Sequence, residues 1–347
     1  MADFWGQIPR GKQGQESSVL SLSGWTPLEA IRGDFQAGEI FLGKSPNGYF
    51  GIADDRHVTV TCGSRGGKGT SVCVPNLLFW PASVIATDPK GELATITARR
   101  RAHPTDAFPN GMGGKVFALD PFGKVEGEAR QFRASFNPMA GLDADTERGY
   151  EMASMIADTL IIQSEGDGAH WTQSARAFLR SLVLYVAKTA APDDCNLIYM
   201  RRVLLRIMGE QTDKFVGDTL TDMQQNHVGS IQQGAQDLTG KPRNERGSVL
   251  STCAVHTDFL TDSRMESVLI GHDFNLEDMK KERVTVYLCL PANRLGTHGR
   301  WFRLMVGLAL DAMERTGALP SHHHPVLFCL DEFAALGHMS SLEKAAG

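Results

Sequence analysis

The stretch from Val58 to Thr70, VTVTCGSRGGKGT, constrains the fold of this chain more than any other. Its first four residues are β-branched, as is typical of a buried strand, and they run into glycines that surround one lysine, Lys68. Glycines let the backbone turn tightly enough for successive N–H groups to point at an anion. The stretch therefore predicts a strand, a phosphate-binding loop and a following helix.

The spacing of this loop departs from the common pattern GxxxxGK[ST]. Gly67 and Lys68 match, whereas Cys62 stands at the first glycine position and Gly69 at the hydroxyl position. The alternative is a glycine-rich turn with an incidental lysine. The candidate nucleotide-binding residues of the loop are Gly63, Ser64, Arg65, Gly66, Gly67, Lys68, Gly69, Thr70 and Ser71, and either Thr70 or Ser71 is the candidate Mg²⁺ ligand.

A second element expected of a nucleotide site lies near the end of the chain. Residues 326–330, VLFCL, predict a fully buried strand, and Asp331 and Glu332 follow it directly. In a Walker B element the first carboxylate holds the Mg²⁺ shell and the second orients the attacking water. The alternative is a strand that simply ends at a helix N-cap.

Three further apolar runs predict strands, and helical patterns separate them. The runs are Ser83–Asp88, Lys115–Asp120 and Arg283–Leu290. Strands that alternate with helices are typical of an α/β fold with a parallel sheet. Ligands of open α/β sheets bind beyond the carboxyl ends of the strands. Asp88, Lys90 and Glu92 are therefore candidates to border the nucleotide pocket, and the alternative is a capping cluster for the next helix.

Arginines 99–101 close that helix and form a candidate phosphate-binding patch, although a run of charge is more often a solvated face. The net charge of −5 argues against attraction of nucleic acid by the whole surface, so any DNA contact must be regional. Six cysteines are scattered without CxxC spacing, which indicates reduced thiols rather than a disulfide frame or a zinc site.

Composition changes along the chain predict four parts. Residues 1–42 form an arm, 43–146 the first part of a nucleotide-binding domain, 147–270 an inserted helical subdomain, and 271–347 the second part. Residues 39–52, EIFLGKSPNGYFGI, predict a hairpin around Ser-Pro-Asn-Gly. Within the helical part, residues 224–248 are polar and rich in glycine, which predicts a connection or mobile loop. No apolar run of about 18 residues and no signal peptide occurs, which predicts a cytoplasmic protein.

Several of these stretches together resemble the coupling-protein ATPases of type IV secretion and conjugative DNA transfer. They are GSRGGKGTSVCVPNLLFWPASVIATDPKGEL, HWTQSARAFLRSLVLYV and VLFCLDEFAALGHM, and the resemblance covers roughly residues 43–347. In that family the loop commonly reads SGKG, so Gly69 after the lysine is typical. The DPKGE stretch and DEFAALG are also family features.

The resemblance implies a RecA-like P-loop ATPase sheet with helices on both faces and an inserted all-helical subdomain. It implies an ATP- and Mg²⁺-dependent hexamer that recruits DNA–protein or protein substrates, including a relaxase, and delivers them to a secretion channel. Lys68 and the loop glycines match the nucleotide site, Asp331 and Glu332 the Walker B pair, and Asp331 would hold Mg²⁺ with Thr70. A neighbouring subunit would supply an arginine, for which Arg300 and Arg303, expected in a strand-to-helix connection, are candidates.

The resemblance also sets expectations about what this chain lacks. Family members usually begin with transmembrane helices and continue past DEFAALG with further strands of the sheet. We therefore expect a truncated chain with an exposed sheet edge beside Walker B, held at the inner face of the bacterial inner membrane through partners. The alternatives are a related hexameric DNA pump for chromosome segregation, a small-molecule kinase, and a non-catalytic adaptor.

Overall fold

The computed structural model describes residues 28–54, 56–63, 66–104, 110–162, 169–210, 217–317, 324–337, 339 and 342–343. The chain forms two compact units, one before Arg56 and one from Arg56 onward. The predicted boundary between residues 42 and 43 lies inside a strand of the first unit. None of the described helices combines the length and apolarity needed to cross a membrane.

The first unit contains the predicted hairpin. Strands β1 (Ile40–Ser45) and β2 (Gly48–Ile52) pair antiparallel, with Ser45 opposite Gly48, so two residues form the turn. A short 3-10 turn at Leu28–Ala30 precedes it. The aromatic and aliphatic runs on either side of Ser-Pro-Asn-Gly were enough to predict this element.

A four-stranded parallel sheet forms the centre of the second unit, in the order β4-β5-β3-β6. The strands are β3 (Val84–Thr87), β4 (Lys115–Leu119), β5 (Val284–Leu288) and β6 (Leu327–Leu330). Val84 lies opposite Thr285 on one side and Leu327 on the other, so the carboxyl ends of β3, β5 and β6 lie level. The strands predicted within residues 83–88, 115–120, 283–290 and 326–330 are confirmed.

The prediction of a strand at residues 58–61 is wrong, and so is the prediction that β6 is fully buried. Residues 58–61 form no strand, and Val58 and Val60 are exposed. A strand needs a neighbour to take its backbone hydrogen bonds, and no described strand lies beside these residues. Strand β6 is half-buried rather than fully buried, because within the described part of the chain only β3 pairs with it.

Helices flank the strands in the predicted alternation. A π-helical turn at Gly69–Cys73 leads into α1 (Val74–Phe79), α2 (Glu92–Arg101) follows β3, and α10 (Leu295–Arg315) follows β5. Helix α10 begins at Leu295, within the stretch that was expected to connect β5 to its helix.

The chain between β4 and β5 contains the predicted helical insertion. Its helices are α3 (Glu147–Leu160), α4 (Ala169–Thr189), α5 (Leu197–Glu210), α6 (Asp218–Gln224), α7 (Gly229–Thr239), α8 (Arg243–His256) and α9 (Glu266–Leu269). The hydroxyl of Thr146 caps α3 by accepting the N–H of Gly149 at 3.0 Å. These helices share one continuous hydrophobic core with the sheet.

The prediction of a loop over residues 224–248 is wrong, because α7 and the beginning of α8 lie there. Helix α7 buries Ile231, Ala235 and Leu238, which recur at the three- and four-residue spacing of one helix face. The glutamines between them are exposed. A narrow apolar stripe is therefore enough to stabilise this helix. The polar residues that suggested a loop lie on its solvent-facing side.

Arg101 is the charged residue buried most completely in the sheet region, with 0% of its surface exposed. Its Nη1 donates to the carbonyls of Leu77 (3.0 Å) and Trp80 (2.7 Å) at the end of α1. Its Nη2 donates to the carbonyl of Ala82, and its Nε donates to Thr285 Oγ1 of β5 at 2.6 Å. Burial lowers the pKa of Arg101 to about 10, so the guanidinium stays charged at neutral pH.

The arginine patch predicted at residues 99–101 is therefore wrong for Arg101, which holds the fold together and cannot reach a phosphate. Arg99 is exposed and pairs with Glu128 at 2.8 Å. Arg100, also exposed, donates to the carbonyl of Asn110.

We expect Arg101→Leu to lower the free energy of unfolding by about 3 kcal/mol, because it leaves buried carbonyls without a donor. Arg99→Ala is the matched control, and loss of its exposed ion pair should cost less than about 1 kcal/mol. Urea denaturation measures both. Equal decreases in the free energy of unfolding of the two variants would show that the buried hydrogen bonds of Arg101 add no more stability than an exposed ion pair.

His256 gives the helical region a dependence on pH. Its Nδ1 can accept the N–H of Ile162 at 3.1 Å when the ring is neutral, and the same atom lies 3.3 Å from the carbonyl oxygen of Leu160. Burial, followed by the nearby charge of Arg300, lowers the pKa of His256. A histidine whose pKa is lower in the folded than in the unfolded chain favours unfolding once the pH falls below the unfolded value of about 6.5.

The urea midpoint should therefore fall on going from about pH 7.5 to about pH 5.5, and less in His256→Gln. Gln can still accept the Ile162 N–H but does not titrate. The exposed His103, changed to Gln, serves as the control and should leave the fall as it is. An identical fall in the His256 variant would contradict the assignment.

Candidate functional site

The predicted phosphate loop turns back on itself directly before its helix. Gly66 N–H donates to the carbonyl of Gly63 at 2.9 Å, and Ser71 N–H donates to that of Gly67 at 2.8 Å. Gly67 has φ +80°, a left-handed conformation that favours glycine, which accounts for this residue before the lysine. Ser64 and Arg65 lie outside the described residues.

The hydroxyl-bearing residues after the lysine occupy the first turn of the π-helical segment. Thr70 Oγ1 donates to the carbonyl of Gly67 at 3.1 Å, and the side chains of both Thr70 and Ser71 are exposed. Lys68, which precedes the segment, already has helical dihedral angles. The loop therefore presents Gly69, two hydroxyls and the start of a helix on the same turn.

Lys68 meets Asp331 at the end of β6. Lys68 Nζ lies 2.7 Å from Asp331 Oδ1, with 32% and 20% of the two side chains exposed. The hydrogen bond to Asp331 raises the pKa of Lys68. This contact brings together the two elements predicted from opposite ends of the sequence, 263 residues apart, and it leaves both groups accessible to a ligand from solvent.

Glu332 is strained. It has φ +54°, and among the described residues it is the one non-glycine with a positive φ. Its N–H donates to Asp331 Oδ1 at 3.1 Å, and its side chain is exposed. A left-handed conformation costs a non-glycine residue roughly 1–2 kcal/mol, and such strain persists mainly at functional sites.

Strand β3 supplies the neighbouring groups. Thr87 Oγ1 donates to the carbonyl of Asp331 at 2.7 Å, which fixes the end of β6 against β3. Asp88 is buried, and its Oδ2 accepts the N–H of Ala94 at 2.8 Å. Burial raises the pKa of Asp88, and the backbone N–H groups at the start of α2 oppose that rise.

The DPKGE stretch therefore caps α2, which was the alternative considered for it. Gly91, with φ +72°, makes the turn that lets Asp88 reach the helix, and a Cβ there would lie 2.5 Å from the carbonyl oxygen of Lys124. Lys90 and Glu92 are exposed, with 3.9 Å between Lys90 Nζ and Glu92 Oε2. Of the three predicted pocket residues, Asp88 lies at the strand end beside β6, while the other two lie on the surface.

Arg300 and Arg303 lie inside α10, not in the strand-to-helix connection expected for them, because the helix starts at Leu295. Both are half-buried, and burial lowers the pKa of each. Arg303 Nη1 donates to the carbonyl of Leu336, in the 3-10 turn that follows the Asp-Glu pair. This contact joins α10 to the end of the Walker B segment.

Sequence reasoning missed two parts of this site. Thr87 was read only as part of a strand, although a polar residue at the end of a fully apolar run was a signal. Cys73 and Cys329, which follow the loop and precede Asp331, were grouped with the other reduced thiols. Among the described residues no group of three His, Cys, Asp or Glu side chains could hold a metal ion by itself.

The glycine loop leads into a helix, and its Lys68 contacts Asp331 of the Asp-Glu pair at the end of a parallel strand. This arrangement defines a RecA-like P-loop ATPase fold. Two solved structures support this assignment of the fold. The bacterial conjugative coupling protein TrwBdeltaN70, unbound, superposes with a TM-score of 0.52 at 15% identity, covering 81% of this chain and 56% of that one. The plasmid coupling protein TrwB with a non-hydrolysable ATP analogue gives 0.51 at 16% identity, covering 81% and 58%.

The family model described as Type IV secretory system Conjugative DNA transfer matches residues 16–347, and the chain belongs to that family. Among its relatives, the conjugal transfer protein TraG of Escherichia coli is 28% identical over 98% of this chain and 51% of its own length. Protein VirD4 of Agrobacterium fabrum is 28% identical over 86% of this chain and 42% of its own length. The chain thus spans about half the length of the curated relatives it matches.

The strain at Glu332 can be measured. We expect Glu332→Gly to unfold with a free energy higher than Glu332→Gln by up to about 1 kcal/mol, because glycine removes the left-handed cost. At the exposed helical position Glu151, the same pair of substitutions should give the opposite sign, with glycine lower by about 1 kcal/mol. Urea denaturation measures the four variants. A lower free energy of unfolding for the glycine variant than for the glutamine variant at both positions would contradict the proposed backbone strain at Glu332.

Proposed function

We propose that this chain is the ATP-hydrolysing part of a coupling protein that delivers DNA–protein or protein substrates to a type IV secretion or conjugation channel. The observation that carries the proposal is the contact between Lys68 and Asp331 in a member of the conjugative DNA transfer family. A loop lysine and a Walker B carboxylate that face each other are the two groups between which a nucleotide phosphate and its metal ion bind.

The residues present fit ATP with Mg²⁺. The loop turn and the start of the helix offer backbone N–H groups to phosphate oxygens, and Lys68 offers a positive charge that now rests on Asp331. Asp331 and the hydroxyl of Thr70 or Ser71 would hold Mg²⁺, which when bound offsets phosphate charge. Binding would therefore move Lys68 from the carboxylate to a phosphate. TrwB, whose fold this chain shares, has been solved with an ATP analogue, which supports the same ligand class here.

Glu332 is proposed to orient and polarise the attacking water. Its side chain is exposed, whereas that of Asp331 contacts Lys68, so the two carboxylates can serve different tasks. The remaining negative charge that develops during phosphoryl transfer needs a cation. Arg300 and Arg303 remain the candidates for a role in a neighbouring subunit. Arg303 also contacts its own Walker B segment.

The assembly and partners are proposed from the family. The full protein would be a homo-hexamer that handles single- or double-stranded DNA, a relaxase or secreted proteins, together with channel components. It would work at the cytoplasmic face of the bacterial inner membrane. The helical region between β4 and β5 is the part proposed to select cargo. A net charge of −5 requires that DNA meets a local patch rather than the whole surface.

ATP hydrolysis with and without single-stranded DNA tests the proposal. The chain should hydrolyse ATP, DNA should stimulate it, and Glu332→Gln should reduce turnover by at least about 100-fold because the water loses its base. Glu151→Gln removes the same charge from the exposed face of α3 and should leave turnover unchanged.

Nucleotide binding is measured beside turnover with a fluorescent ATP analogue. Nucleotide binding without turnover in the unaltered chain would favour a non-catalytic adaptor. ATP hydrolysis that is neither stimulated by DNA nor reduced by Glu332→Gln would contradict the proposed site. Gel filtration with nucleotide separates a hexameric motor from a small-molecule kinase, which needs no hexamer.

A further inference from the structure

Two cysteines meet behind the nucleotide site. Cys73 is the last residue of the π-helical turn and is buried, while Cys329 is the third residue of β6 and is half-buried. The interaction between the two thiols lowers the pKa of Cys73 and raises that of Cys329, and neither cysteine is in a disulfide. One thiol thus belongs to the helix that carries the phosphate loop, and the other to the strand that carries Asp331.

The contacts on either side of this pair fix the register of the helix against the strand. Lys68 Nζ lies 2.7 Å from Asp331 Oδ1 at one end, and Trp80 Nε1 donates to the carbonyl of Pro325 at 3.1 Å at the other. The helical segment therefore runs antiparallel to β6. Five helical residues rise about 7.5 Å, and two strand residues rise about 6.6 Å. Cys73 therefore lies about as far along the helix from Lys68 as Cys329 lies along the strand from Asp331, which places the two cysteines side by side.

The other cysteines are placed differently. Cys253 Sγ donates to the carbonyl of Ala175, and Cys195 Sγ to that of Met139. Cys289 is fully buried after β5, and Cys62 is exposed before the loop. Among the described residues, Cys73 and Cys329 are the two thiols that face each other.

We propose that Cys73 and Cys329 form a reversible disulfide that ties the phosphate-loop helix to the Walker B strand. The oxidant class is a small disulfide such as glutathione disulfide. The sulfur of one cysteine attacks it, forming a mixed disulfide and releasing one glutathione, which takes the proton of that thiol. The second cysteine then attacks the mixed disulfide at the protein sulfur, and a second glutathione leaves with the second proton. Two thiols are oxidised and one small disulfide is reduced.

The bond requires a small local movement. The two sulfurs must approach each other to about 2.05 Å. Cys73 ends a π-helical turn, which is wider than an α-turn and is an uncommon form found mainly as single turns at functional sites. Tightening or rotating that turn moves the Cys73 sulfur without disturbing the strand, which is fixed by β3.

The consequence rests on the function proposed above. Lys68 must leave Asp331 for a phosphate when a nucleotide binds, and a phosphate loop that is free to shift relative to the strand makes that exchange easier. A covalent bond five residues after Lys68 holds the loop in its present position over β6. Oxidation should therefore weaken ATP binding, and reduction should restore it.

The first measurement is disulfide mapping by mass spectrometry of the whole chain, after equilibration with reduced and oxidised glutathione. A linked Cys73–Cys329 peptide is expected in the unaltered chain and in Cys62→Ser, and none in Cys329→Ala. The Cys195→Ala variant is the matched control for loss of a half-buried thiol and should keep the link. Circular dichroism confirms that each variant is folded.

The second measurement is the affinity for a fluorescent ATP analogue in the same samples. We expect a loss of at least about 10-fold on oxidation, reversed by dithiothreitol, and no loss in Cys329→Ala. Absence of the linked peptide, or a Cys62–Cys73 link in its place, overturns the pair. A chain that contains the Cys73–Cys329 disulfide but binds the ATP analogue with unchanged affinity overturns the proposal that the bond regulates nucleotide binding. A reduced chain that binds no nucleotide refutes the proposed function instead, while the peptide map still decides the pair.

Discussion

The buried guanidinium of Arg101 is the interaction on which the position of the glycine loop over the parallel sheet depends. A short helix such as α1 leaves its last carbonyls without partners, and these carbonyls end in the interior next to the start of β3. Arg101 satisfies two of them, adds the carbonyl of Ala82, and reaches across to Thr285 of β5. One side chain from α2 thereby fixes the helix after the loop against the sheet. Because α1 carries the loop, the position of Lys68 over β6 follows from that anchor.

This arrangement also explains the balance of the site. The groups that set geometry are buried: Arg101 holds α1, Asp88 caps α2, and Thr87 ties the end of β6 to β3. Lys68 and Glu332, which would meet a ligand, are partly or fully exposed. A firm support beneath accessible charges is what phosphoryl transfer requires, since its catalysis consists mostly of positioning and electrostatics.

Much of the fold could be predicted from the sequence, for reasons that are local. Strands β3 and β5 are short apolar runs that are buried on both faces, β4 is apolar after its exposed Lys115, and the hairpin has its turn residues in place. The contact between Lys68 and Asp331 was predictable because each belongs to a recognisable motif. The strand expected at 58–61 failed because pairing depends on a neighbour, which a local pattern does not contain. Arg101 was misread because an arginine in a run of three looks like surface, and only the packing of α1 shows where it lies.

Helix α10 has a mechanical consequence. It packs against α3 of the helical insertion and also against the 3-10 turn behind Glu332, where Arg303 reaches the carbonyl of Leu336. The insertion and the sheet share one core, and tightly packed interiors are stiff and pass strain on. A load applied to the helical region therefore reaches the Walker B strand through a rigid rod of 21 residues rather than through a hinge.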